Sequence, residues 1–192
     1  MSALWISLSA ALGLVATAIA RKSPNPRVLV KTSQGDITIE LFSNEAPVTV
    51  QNFLAYAEAA FFDGTIFHRV IDGFMIQGGG MTADMKEKPA SSPIRNEADN
   101  GLKNARSTLA MARRPDIHSA SSQFFINLVD NPFLDHQSPA PDKFGYAVFG
   151  KVVSGMEVVD SIARIATGTR GMHRDVPLEP VVLLSLTRLE AE

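Results

Sequence analysis

The chain has 192 residues, with 18 Lys and Arg against 20 Asp and Glu for a formal net charge of −2, and no cysteine. That length suits one domain with a sizeable core. A near-neutral charge without a Lys/Arg block argues against nucleic-acid binding, and the lack of cysteine excludes disulfides and thiolate chemistry.

Residues 1–20 carry no charged side chain and are rich in Leu, Ala, Ile and Val, ending Ala18-Ile19-Ala20 before Arg21-Lys22. This is the pattern of a secretory leader with an A-x-A cleavage site. An uncleaved membrane anchor is the alternative, because about 20 apolar residues span a bilayer, and membrane contact is expected only in that case. The only tryptophan, Trp5, lies in this segment. Residues 21–26, with Pro24 and Pro26, read as a linker, and one domain is expected over 27–190.

Residues 28–32 and 36–42 flank Ser33-Gln34-Gly35 and predict a hairpin; in the second run Ile37, Ile39 and Leu41 alternate with Thr38 and Glu40. Ala46-Pro47 opens a helix with Val50, Phe53, Leu54 and Ala57 at helical spacing. Residues 66–71 predict a strand whose alternation puts Phe67, Arg69 and Ile71 on one face and Ile66, His68 and Val70 on the other. Asp72-Gly73 is a turn signal, followed by a second short extended piece with Phe74, Met75 and Gln77. An arginine cannot shed its proton, so on an apolar face it either reaches water or finds acceptors. An edge strand with a salt-bridged arginine and a binding site both fit that pattern.

Residues 78–106 are loop-like, broken by Gly78-Gly79-Gly80, Pro89, Pro93 and Asn100-Gly101. Short strands are predicted over 108–112 and 123–128, joined by a polar loop. Another loop covers 129–145, and a strand follows over 146–153, with Gly150 marking a bulge or close approach. A second helix is expected over 155–165, then a glycine-containing loop, then a closing strand over 181–189. Many short strands, two helices and no βαβ rhythm indicate a mostly antiparallel sheet or barrel.

The triple glycine is not followed by Lys-Ser/Thr, so a phosphate loop has little support. His68, His118, His136 and His173 lack paired ligand spacing, so no metal site is expected. His68 reads as a hydrogen-bonded core histidine. Ser121 and Ser122 lie outside any G-x-S-x-G elbow, and Asp135-His136 reads as a solvated loop pair. What remains is a fixed cation, amide side chains and apolar groups, a set suited to a reaction without a covalent step or proton transfer.

FHRVIDGFMIQGGG at 67–80, SSQFFINL at 121–128 and FGYAVFGKV at 144–152 together resemble a cyclophilin-type peptidyl-prolyl cis-trans isomerase over nearly all of 27–190. NEADNGLKNARSTLAMAR at 96–113 and DNPFLDH at 130–136 resemble its bacterial, particularly periplasmic, branch. The resemblance implies a mainly β fold, an eight-stranded antiparallel closed β-barrel capped by two α-helices. It implies Arg69 as the catalytic arginine, with Phe74, Met75, Gln77, Gln123, Phe125 and Leu134 lining the substrate groove. Ala112 and Arg113 would present backbone to the peptide. Phe133 and Tyr146 stand where the eukaryotic branch has tryptophan and histidine, which keeps two rings in the groove wall and implies weak cyclosporin inhibition. No cofactor is implied, since the reaction transfers nothing. The implied partners are proline-containing polypeptides and unfolded proteins, and the implied state a monomer. With the leader, the implied location is the periplasm, or the inner membrane facing it. A non-catalytic proline-peptide-binding or chaperone module on the same scaffold is the competing reading.

Overall fold

The computed structural model describes residues 24–190. The candidate leader and residues 21–23 lie outside them. Arg27–Thr32 (β1) and Gly35–Leu41 (β2) form the expected hairpin, with Thr32 opposite Gly35. Thr32 Oγ1 locks the turn, donating to the Gly35 carbonyl at 2.7 Å and accepting the Gln34 N–H at 3.1 Å. Further strands are Thr65–Ile66 (β3), Arg69–Ile71 (β4), Met75–Gly78 (β5), Met81–Thr82 (β6), Thr108–Met111 (β7), Phe124–Asn127 (β8) and Val148–Ser154 (β9). Thr167–Arg170 (β10), His173–Pro177 (β11) and Leu183–Leu189 (β12) complete the set, with helices Pro47–Glu58 (α1) and Met156–Ala163 (α2).

Eight strands form one antiparallel sheet in the order β12-β1-β2-β9-β7-β8-β5-β4. The expected closure is only partial: β12 and β4 do not pair along their length. The seam is held by the Ile66–Val182 bridge and by bonds from Gly64 N–H to Leu183 O and Phe67 N–H to Val181 O, 2.9 and 3.0 Å. The irregular backbone at 67–68 ends β3 before a full ladder can form there. Gly150 makes the expected close approach, since a Cβ there would lie 2.7 Å from the Glu40 carbonyl, and the β7–β9 register shifts beside it.

α1 has no side-chain cap of its own, and Pro47 occupies its first turn, where a missing N–H costs nothing. The buried carboxylate of Glu97 reaches in from the long loop instead. It accepts the Val48 and Thr49 N–H groups at 3.1 and 2.9 Å and the Thr49 hydroxyl at 2.7 Å. A carboxylate there satisfies otherwise orphaned donors and complements the positive end of the helix. The buried face of α1 places Phe53 against Phe62, Phe124 and Phe149, with ring centroids 5.1 to 5.4 Å away.

Two expectations need correction. The glycine-containing segment after α2 is not a loop: β10 and β11 form a separate two-stranded hairpin beside β4. Nor does the alternation over 66–71 survive. Phe67 and Val70 both pack in the main core, while Arg69 and Ile71 face outward. The backbone is not extended strand at Phe67-His68, and that break shifts the phase of the pattern.

Candidate active site

The two faces of the sheet are both apolar, for different reasons. Ile76, Leu109, Met111, Phe124, Ile126 and Phe149 point into the main core. Their neighbours Met75, Ala110, Phe125 and Val148 form a second cluster on the outer face, joined by Leu134 and edged by Ile71, Phe74, Ala112 and Tyr146. Strand pairing then sets Arg69, Gln77, Phe125, Ala110 and Val148 in one cross-strand row, because each is the register partner of the next. The period of two thus carries Arg69 onto an apolar outer face.

That face opens into a groove of about 120 Å³ lined by Arg69, Phe74, Met75, Gln77, Ala112, Arg113, Phe125, Leu134 and Tyr146. Gln123 stands at its end, where Gln77, Ala112 and Arg113 also border a second hollow running toward Ser91 and Ser119. Phe133 is not in the lining: it lies on the rim, 65% exposed, stacked on Phe74 at 5.7 Å.

Arg69 is not buried. Its side chain is 44% exposed, with Nε 3.9 Å from an Asp175 carboxylate oxygen on β11. Its register partner Gln77 donates from Nε2 to Gln123 Oε1 at 2.9 Å, so the two amides brace each other. Nothing in the sequence marked Asp175, because its strand is polar and short; the only signal was Gly171 between two extended runs.

The opposite wall comes from loops tied by buried amides. Asn131 Nδ2 donates to the Phe74 carbonyl at 3.2 Å and Asn127 Oδ1 at 2.8 Å. Asp135, expected in solvent, is instead buried, accepting the Asn104 N–H at 2.8 Å with Lys103 Nζ 3.5 Å away. His136 Nδ1 lies 2.8 Å from the Phe144 carbonyl. Tyr146 meets Phe125 edge-on at 5.8 Å, and the Arg113 guanidinium covers the tyrosine ring at 5.0 Å. Arg113 also donates to the Gly145 and Pro141 carbonyls, at 3.0 and 3.2 Å, clamping this loop. The Ala112 N–H is taken by the Gln123 carbonyl at 3.0 Å.

His68 is buried as expected, but its Nδ1 has no hydrogen-bond partner. Burial pulls its pKa down from 6.5 to about 4, helped by the charge of nearby His173 and partly offset by a backbone hydrogen bond with Ile66. Among the described residues no group of three His, Asp or Glu side chains is placed to hold a metal ion, and no helix is long and apolar enough to cross a membrane.

The site is thus a groove with two guanidinium groups, Arg69 and Arg113, braced amides and aromatic walls, on the outer face of a mostly closed antiparallel sheet. The family described as cyclophilin type peptidyl-prolyl cis-trans isomerase/CLD matches residues 27–188, and the chain belongs to it. It is 57% identical over 158 residues to a peptidyl-prolyl cis-trans isomerase of Streptomyces antibioticus, covering 82% of this chain and 95% of that one. It is 56% identical over 160 residues to peptidyl-prolyl cis-trans isomerase B of Escherichia coli strain K12, covering 83% and 98%. A Cryptosporidium parvum cyclophilin type isomerase solved in the presence of the dipeptide Ala-Pro aligns with TM-score 0.69 and 26% identity, over 86% of this chain and 99% of that one. The activity is peptidyl-prolyl cis-trans isomerisation.

Proposed function

We propose that the outer-face groove is the active site and that Arg69 is its catalytic group. The observation that carries this reading is the row Arg69, Gln77, Phe125, which sets a cation beside the aromatic wall of the groove. Rotation about an X-Pro bond breaks C–N resonance, with a barrier of about 18–20 kcal/mol. As the bond twists, the lone pair localises on the proline nitrogen. A guanidinium that donates to that nitrogen binds the twisted state more tightly than the planar one, which is what lowers a barrier.

Phe74, Met75, Phe125 and Leu134 hold the proline ring, the aromatics giving shape and Met75 adapting to it. Gln123 accepts from Gln77 and keeps its own amide N–H groups for a peptide carbonyl. Ala112, its N–H engaged, offers its carbonyl, and Arg113 acts by holding the wall. Phe133 and Tyr146 edge the groove, and with Phe133 lacking the indole donor, weak cyclosporin inhibition is the corresponding reading.

The test is Arg69→Ala in the chain from Arg21. Isomerisation of a short X-Pro peptide should fall about a hundredfold or more in kcat/KM, the size of a lost transition-state donor, with peptide affinity changed far less. Equal losses in rate and affinity would reduce Arg69 to a binding residue. The charge-free leader supports a periplasmic folding catalyst acting on unfolded, proline-containing chains. N-terminal sequencing of the exported protein checks this: a start near Arg21 means cleavage, and a start at Met1 means an anchor.

A further inference from the structure

We propose that Asp175 is the positioning residue for Arg69, and that the β10–β11 hairpin exists in this fold to hold it there. The proposal rests on the reading of the groove given above. An arginine on a half-exposed edge strand has a long, mobile stem, and a catalytic hydrogen bond requires one orientation of its guanidinium. Among the described residues Asp175 is the carboxylate that pairs with Arg69, through Nε at 3.9 Å. The contact is an ion pair without a hydrogen bond, and it lies on the Nε side, which leaves the two terminal nitrogens for the groove.

Two further observations single this aspartate out. Its backbone is left-handed, φ 60°, a conformation that costs most residues energy and that aspartate tolerates better than most. Its hairpin takes no part in the eight-stranded sheet and lies beside β4, the strand that carries Arg69. Val176 and Pro177, which follow it, are buried and anchor the turn of chain. A peripheral hairpin, one strained residue and one ion pair therefore converge on the same guanidinium.

The carboxylate is 42% exposed, so the effect is modest and screened by salt. With Asp175→Asn, kcat on an X-Pro peptide should fall about 2- to 5-fold with KM unchanged, the range of an exposed ion pair. The loss should vanish when the change is made on Arg69→Ala, and the wild-type advantage should shrink toward onefold near 1 M NaCl, where the Debye length is about 3 Å. Asp175→Gly, which relaxes the left-handed backbone, gives the same comparison without the amide. An unchanged kcat in Asp175→Asn, or an equal loss on the Arg69→Ala background, overturns the proposal. So does a wild-type kcat indifferent to salt, a measurement that needs no variant to fold. An inactive unmodified chain would instead sink the isomerase reading, before any variant is compared.

Discussion

His68 shows how one residue can couple the site to pH without taking part in it. Folded, it stays neutral down to about pH 4, held there first by burial; unfolded, it takes up a proton near 6.5. The unfolded chain therefore binds more protons between those values, and stability falls as pH drops through that window. The full shift corresponds to about 3 kcal/mol lost by pH 4. Urea unfolding at pH 7 and pH 4.5 should show a markedly smaller drop for His68→Gln than for the wild type; equal drops would move the acid sensitivity to the carboxylates. His68 adjoins Arg69, so the same acid range should loosen the edge of the groove. At this scale the sequence read well for residue type: it marked Arg69, Gln77 and Phe125. It misjudged the exposure of Asp135, reading it as solvated, because exposure depends on which segments fold over a residue.

Among the elements, the loop at 134–146 forms a groove wall although it has almost no regular structure. Tyr146 N–H bonds to the Leu134 carbonyl at 2.9 Å, drawing the two ends together. They meet at Gly145, whose φ is +79° and where a Cβ would lie 2.6 Å from the Asp135 carbonyl carbon and the His136 nitrogen. Gly145→Ala forces both a left-handed alanine and a backbone clash, so the wall must shift. The expected cost is about 2–3 kcal/mol of stability, from strain of about 1–3 kcal/mol at such positions, together with a several-fold rise in KM. Steady-state kinetics beside a denaturant titration check it, and an unchanged KM would show that the wall does not define the groove. The strands and helices were readable because their periodicity is local. The hairpin over β10 and β11 was not, since its outward polar residues carry no alternation to detect.

For the whole molecule, Phe53 is the point where helix and sheet meet. It is buried against three other phenylalanine rings, two of them on β8 and β9. Phe53→Ala should cost about 3–5 kcal/mol, measured by thermal or urea unfolding, as the cavity cannot fully collapse. A loss under about 1 kcal/mol would mean that the core is looser than its packing implies. β8 has Phe124 toward this core and Phe125 toward the groove, so the sheet that stabilises the molecule also builds the site. Sequence alone determined the antiparallel class, the two helices and the residue types that meet in the groove, because side-chain type and short-range period are properties of each segment by itself. Tertiary structure decided the open seam, the phase break at Phe67-His68, the Glu97 cap on α1 and the meeting of Asp175 with Arg69. Each of those joins segments far apart along the chain, and the free energy that selects such a pairing belongs to neither segment until both are packed.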